Sequence, residues 1–228
     1  MKKVFFFVLF CALCVTVFAQ VSETGDKPAS RTPASPAMTA LQTAYALAQY
    51  GYSNSSASAL IGAAEILTRT QTQDANNQGE QSGQATDAGN KTEKPQYTAA
   101  NLLADGKKLA GRDNVLLAWA KKVEDAMKIT TKGAIGGPRR QIDRVSALST
   151  ITYRVPFRAN ELAEIAVVGD GDTDLDLYVY DGNGVLVAYD EDYTDRCYVS
   201  FVPRYDLNFI IRVVNRGRVY NQFVIATN

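Results

Sequence analysis

The sequence predicts an α+β protein in which N-terminal helical hairpins precede a C-terminal antiparallel β-sandwich. Three observations carry this. Apolar residues recur at helical spacing in two blocks, 38–70 and 95–131. From residue 139 onward the period switches to two. Clusters of Gly, Asn, Asp and Pro then punctuate the chain every ~8–12 residues, the spacing of short sandwich strands.

The N-terminus reads as an export signal. Lys2 and Lys3 precede an apolar run from Val4 to Val17, and Val17-Phe18-Ala19 offers compact residues at the positions a signal peptidase reads. Residues 1–19 are therefore expected to be removed before Gln20. The run is shorter than the ~20 residues of a spanning helix, so no integral membrane segment is expected in the mature chain. Leu13 before Cys14 and Phe10 before Cys11 do not form a lipidation site. The expected location is periplasmic, cell-surface or secreted. Of three cysteines only Cys197 outlasts processing, so no internal disulfide is available. Cys197 reads as a buried strand residue, with an intermolecular bridge as the alternative.

Lysine plus arginine and aspartate plus glutamate number 24 each, which argues against nucleic acid or anionic lipid as a bulk electrostatic partner. Arg139, Arg140 and Arg144 form a small basic cluster that reads as a solvated segment. The chain contains no histidine, which excludes Ser-His-Asp and Cys-His catalysis and histidine-ligated metals. Carboxylate chemistry and oxygen-ligated cations stay open.

Residues 20–37, with Pro28, Pro33 and Pro36, read as a disordered leader. The helical pair of 38–70 follows. Leu41, Ala44, Tyr45 and Ala48 share one face, and Gly51 is expected to end the first helix. Ser55 or Ser56 can cap the second, which carries Leu60, Ile61, Ala64 and Leu67. Residues 71–94 are rich in Gln, Asn, Gly, Thr and Asp with no large apolar residue, and read as a disordered linker. The helical pair of 95–131 starts near Thr98 with Leu102, Leu103 and Leu109. Gly111 stops its first helix, and Asp113 or Asn114 caps the next, which carries Val115, Trp119, Val123 and Met127 as a stripe. Trp119 reads as an anchor of the helical core rather than a ligand platform. Lys132 to Pro138 is Gly-rich but lacks the lysine and hydroxyl of a phosphate-binding loop, so it reads as a domain boundary.

The sandwich is expected over 139–228. Thr150–Phe157 and Leu162–Val168 look extended. Leu175, Leu177 and Val179 alternate with Asp174, Asp176, Tyr178 and Tyr180. Further strands carry Val185–Tyr189, Cys197–Phe201, Phe209–Val213 and Phe223–Ile225. The turn Asp181-Gly182-Asn183-Gly184 is a hairpin signal, with glycine and asparagine expected to supply positive φ.

Asp170, Asp172, Asp174 and Asp176 stand at every second position, and Asp190, Glu191, Asp192 and Asp195 follow one strand later. Clustered carboxylates repel one another, and Ca²⁺ takes six to eight oxygens in flexible geometry, so Asp170, Asp172, Asp174, Asp176, Asp190 and Asp192 are candidate Ca²⁺ ligands. The alternative is turn chemistry, with aspartates capping strand ends. An EF-hand is excluded, because the position that needs glycine is Leu175 and the one that needs glutamate is Asp181. A glycosidase pair would need two carboxylates set across a cleft.

The stretch Gly169-Asp-Gly-Asp-Thr-Asp-Leu-Asp-Leu-Tyr-Val-Tyr-Asp-Gly-Asn-Gly-Val-Leu-Val-Ala-Tyr-Asp190 resembles the bacterial pre-peptidase C-terminal domain. Cys197–Pro203, Phe209–Asn215 and Tyr220–Asn228 continue the likeness, which spans roughly the last 75–90 residues. The resemblance implies a small jelly-roll-like β-sandwich, appended in its relatives to secreted peptidases, some of which bind Ca²⁺ or assist substrate attachment or secretion. Asp174 and Asp176 match the family's Asp-Leu-Asp motif. No peptidase stands beside the domain here. The function expected is a non-catalytic exported binding or adaptor protein, Ca²⁺-stabilised if the aspartates ligate, with an envelope protein or glycan as partner. The alternatives are a structural or secretion-assisting envelope protein whose helices pack on a partner, and a carboxylate-dependent hydrolase.

Overall fold

The computed structural model describes residues 33–83, 91–130 and 137–228. The expected signal peptide, most of the expected leader, residues 84–90 of the expected linker and most of the Gly-rich connector lie outside the described residues.

The N-terminal part of the described residues holds four helices: α1 (Pro36–Ser53), α2 (Ala57–Arg69), α3 (Ala99–Ala110) and α4 (Asn114–Thr130). Their starts follow capping chemistry. Ser35 caps α1, with Pro36 at the first helical position where its missing N–H costs nothing. Ser56 caps α2 and Thr98 caps α3, each hydroxyl accepting a backbone N–H of the first turn. At α4 the carboxylate of Asp113 accepts from the N–H groups of Val115 and Leu116. α1 begins two residues before Met38 and ends at Ser53, near Gly51 as expected. Along α4, Ala120 and Val123 are buried while Val115 is 79% exposed, which removes Val115 from the expected stripe.

Segment 71–94 departs from the expected disordered linker. It contributes β1 (Gln73–Asp74) and β2 (Glu80–Gly83). Both are edge strands held by backbone pairing and carry no buried apolar face, so no periodic signal announces them. The basic cluster is also ordered, as β3 (Arg139–Val145). Then follow β4 (Ser149–Phe157), β5 (Ala163–Val168), β6 (Leu175–Tyr180), β7 (Leu186–Asp190), β8 (Arg196–Phe201), β9 (Leu207–Asn215) and β10 (Asn221–Thr227).

The strands form two five-stranded sheets, ordered β1-β3-β10-β5-β8 and β2-β4-β9-β6-β7. All pairings are antiparallel except the short β1–β3 pair. Between the sheets lies one core, built from inward residues such as Ile151, Tyr153, Leu177, Ile211, Val213 and Phe223. Cys197 is part of it, with its Sγ donating to the Leu175 carbonyl at 3.0 Å. A second core joins the helices to the outer face of the first sheet. Leu41, Tyr45, Leu60, Leu102 and Val123 meet Ala166, Val168, Val224 and Ala226. β5 is consequently buried at all six positions, which explains its nearly unbroken apolar sequence. The helices therefore leave one sheet covered and the other open.

The hairpin between β6 and β7 differs in detail from the expected tight turn. Gly184 alone adopts positive φ, at 83°. Asp181 organises the rest, its carboxylate accepting from the N–H groups of Asn183 and Val185. A register shift at Val179/Tyr180 absorbs the extra residue.

Candidate functional site

Three places on the sandwich gather polar or aromatic side chains: the acidic end, the opposite end, and the outer face of the open sheet.

At the acidic end the aspartates are held apart by partners of their own. Asp170 is buried, and its Oδ2 accepts from Lys91 Nζ at 2.5 Å and from the Gln222 N–H at 3.1 Å. Lys91 also reaches Asp172 at 2.8 Å and the Tyr220 carbonyl at 2.7 Å, and lies 4.2 Å from the centre of the Tyr220 ring. Lys94 pairs with Asp172 and donates to the Asp170 carbonyl at 2.6 Å. Burial alone would raise the Asp172 carboxyl, but hydrogen bonds from Lys91 and Lys94 outweigh it and hold the group below its usual range. Asp195 is buried among different partners: Gln49 of α1, at 3.0 and 3.1 Å, and the Gly171 N–H at 2.5 Å. Burial pushes its carboxyl up. Gly169 makes this approach possible, since a Cβ there would sit 2.6 Å from an Asp195 carboxylate oxygen.

The remaining candidates go elsewhere. Asp176 accepts from Arg216 Nε at 2.5 Å and from the Tyr178 hydroxyl at 3.2 Å. Asp190 is buried where β7 passes β8, and its Oδ2 accepts the Tyr198 N–H at 2.9 Å. Asp192 closes a turn onto Thr194. Asp174 lies at the start of β6, and its carboxyl is raised by burial and by the charges of Asp176, Asp192 and Asp195. The structure thus brings Asp170 and Asp172 together on lysines, while Asp174 lies within electrostatic reach of Asp176 and Asp192, and Asp176 and Asp190 have donors of their own. Among the described residues no three acidic side chains converge with metal-holding geometry. Most of the candidate oxygens have protein donors, those of Asp170 and Asp172 from lysine and that of Asp176 from Arg216, whereas the buried Asp174 Oδ1 has no hydrogen-bond partner. Sequence reasoning missed Lys91 and Lys94 because they lie in the segment read as a linker. The available signal was that they are the basic residues in a stretch otherwise poor in positive charge, upstream of four aspartates needing counter-ions.

At the opposite end, a cavity of about 640 Å³ opens between the sheets, lined among others by Phe157, Arg158, Glu161 and Asp206. Phe157, which lines it, packs behind with Phe201 and Phe209, the three ring centres 4.9–5.9 Å apart. Its charged groups largely engage their own surroundings. Arg158 faces Glu161 at 3.8 Å, and Asp206 accepts the Ala159 N–H at 2.6 Å.

The open sheet presents a different surface. Because strand side chains alternate, burying Leu177 and Val179 puts Tyr178 and Tyr180 outward, and burying Ile211 and Val213 does the same for Ile210, Arg212 and Val214. The register sets Thr152, Arg212, Tyr178 and Tyr189 in one row across four strands, and Arg154, Ile210 and Tyr180 in the next. Tyr178 and Tyr189 stack with ring centres 6.5 Å apart. Arg212 lies over the Tyr180 ring at 4.9 Å. The Tyr178 hydroxyl is tied to Glu191 at 2.7 Å and receives an Arg216 donor at 3.1 Å. Burial and the Glu191 hydrogen bond push that phenol well up, so it stays protonated as a donor. The sequence showed these tyrosines as outward positions, but not that their sheet is the one left uncovered.

No family model and no curated protein sequence matches the chain. Among solved structures, the Yersinia pseudotuberculosis-derived mitogen is similar over 41% of this chain and 86% of its own, at 10% identity and a TM-score of 0.32. The pre-peptidase C-terminal domain of a Bacillus anthracis collagenase covers 39% of this chain and 89% of its own, at 9% identity and a TM-score of 0.31. Aeromonas hydrophila PliG, a periplasmic inhibitor of g-type lysozyme, covers 40% and 86%, at 13% identity and a TM-score of 0.30. The pre-peptidase likeness read from 169–228 thus has a counterpart among the similar structures. At these scores it decides nothing about ligand or activity. No helix of the described residues is long and apolar enough to cross a membrane.

Proposed function

We propose that this chain is an exported, non-catalytic binding protein whose recognition surface is the outer face of the open sheet. The observation that carries the reading is the register-fixed array of Tyr178, Tyr180, Tyr189, Arg154 and Arg212 on a face no described element covers. Tyrosine and arginine supply large contact area with polar tips, the composition that recognition surfaces favour. Arg154 and Arg212 are exposed and have no carboxylate within ion-pairing distance among the described residues, so their donors are available. Histidine- and cysteine-based catalysis has no support here, since the chain has no histidine and Cys197 is buried in the core with its thiol pushed well up by burial. A structural role in which the helices pack on a partner is less well supported, because most of their apolar residues are buried against one another and the covered sheet, leaving Tyr50, Leu109, Val115 and Ile129 exposed.

The test is co-sedimentation of the purified chain with insoluble envelope material. Wild type and an Arg158→Glu control at the cavity end should sediment, and an Arg154→Glu/Arg212→Glu variant should stay in solution. Equal sedimentation of all three would move recognition off the open sheet.

A further inference from the structure

The array also restricts the class of ligand, and this step rests on the recognition surface just assigned. We propose that the open sheet binds an acidic polysaccharide, a chain of sugars bearing carboxylates. Sugar rings would pack on the half-exposed tyrosines, and carboxylates would be taken by Arg154 and Arg212.

The face is broad and flat. Row Glu80, Thr152, Arg212, Tyr178, Tyr189 crosses all five strands, about 19 Å at ~4.8 Å per strand. An extended polymer can lie along such a row, whereas a compact ligand would touch only part of it. Its pattern is mixed at the scale of single residues. Tyr180 neighbours Ile210 and Arg212, and Thr150 and Thr152 add hydroxyls beside Val214 and Arg212. A protein-binding patch instead concentrates apolar residues at its centre and depletes charge there. Sugars alternate C–H faces with hydroxyls, and a tyrosine offers a ring and a hydroxyl to match.

Charge decides the class. Arg216 is used by Asp176, whereas Arg154 and Arg212 lie on the inner strands with no carboxylate partner among the described residues, Arg212 resting on the Tyr180 ring. They are diagonal neighbours on adjacent strands, roughly 7–8 Å apart at the backbone, and each planar fork can grip a carboxylate through two hydrogen bonds. Glu80 and Glu191 lie towards the two sides of the same face. A densely sulfated chain, or the regular phosphates of a single-stranded nucleic acid, would meet those carboxylates while finding only two free guanidinium groups. One carboxylate per sugar suits the sparse positive centre better. Single-strand binding needs a continuous basic groove, whereas the rows of this face set Arg154 and Arg212 among threonines, tyrosines, Ile210 and Glu80.

Affinity electrophoresis of the full chain tests this, with gels holding polygalacturonate, alginate, neutral laminarin, dextran sulfate or oligo(dT). Retardation should appear with the two polyuronates and weaken with salt. Arg154→Gln/Arg212→Gln, which changes only exposed side chains, should weaken polyuronate binding roughly tenfold or more with an unchanged melting temperature. Tyr180→Ala, checked for folding by circular dichroism, should weaken it as well. Retardation by polyuronates that the double arginine variant leaves intact overturns the proposal, as does the absence of retardation. Equal retardation by laminarin, lost in Tyr180→Ala but not in the arginine variant, overturns the acidic class while keeping the surface. Stronger retardation by dextran sulfate or oligo(dT) overturns it in favour of those polyanions.

Discussion

Replacing Lys91 with methionine should destabilise the fold more than any other single change at the acidic end. The Lys91 side chain is 5% exposed and its partner Asp170 is 2% exposed. Removing the ammonium leaves Asp170 buried without its counter-ion, and breaking a buried pair in this way costs about 3–5 kcal/mol. The lower end applies, because Asp170 keeps the Gln222 N–H and Asp172 keeps Lys94. For a chain of this size, about 3 kcal/mol lowers the melting temperature by roughly 6–12 °C. Urea unfolding of wild type, Lys91→Met, Asp170→Asn and the double variant completes the cycle. The double variant should recover much of the loss, since no orphan charge then remains. Lys91→Met within about 1 kcal/mol of wild type, or purely additive effects, would refute the view that this lysine is the internal cation of the acidic end.

Other expectations follow from the same geometry. Melting in EDTA and in millimolar Ca²⁺ should give the same midpoint, because lysines hold the aspartates; a Ca²⁺-specific rise, worth about 2.7 kcal/mol at a hundredfold excess over Kd, would contradict this. Asp172, held below its ordinary 3.8, contributes stability that is present above that value and lost as pH falls through its folded value, so Asp172→Asn should make the acid limb of a stability–pH curve shallower. Asp195 has the opposite sign: burial raises its folded value, so stability falls as pH climbs from 3.8 through that window, and Asp195→Asn should flatten the fall. Cys197 should be inert to a thiol reagent in the native protein and should react only as fast as the chain unfolds.

The parts of this fold legible in the sequence were those where one residue's environment is set by near neighbours. Ser56, Thr98 and Asp113 cap their helices because capping is a three-residue event. Strands such as β4, β6 and β9 were visible because their alternation is forced by one buried face, and β5 because its short apolar run is buried on both. β1 and β2 were not, since two- and four-residue edge strands bury nothing of their own. The ion pair of Lys91 with Asp170 spans 79 residues, and no local pattern encodes it. The candidate site was half legible. Tyr178 and Tyr180 declared themselves outward by period two, yet which sheet stays open depends on where the helices dock. The signal for that was also present: outward residues on the covered sheet are mostly apolar, as at Ala166, Val168, Val224 and Ala226, while those on the open sheet include charged and polar ones, as at Arg154, Tyr178 and Arg212.

The central claim is that the open sheet is the binding surface. Amide chemical-shift mapping of the isotopically labelled chain, titrated with polygalacturonate oligosaccharides or with soluble envelope glycan, tests it most directly. Shifts should concentrate on β4, β6, β7 and β9, around Arg154, Tyr180, Tyr189 and Arg212, and leave the covered sheet unchanged. Shifts confined to the cavity end around Arg158 and Asp206, or to the loops of Asp170 and Asp195, would contradict the account.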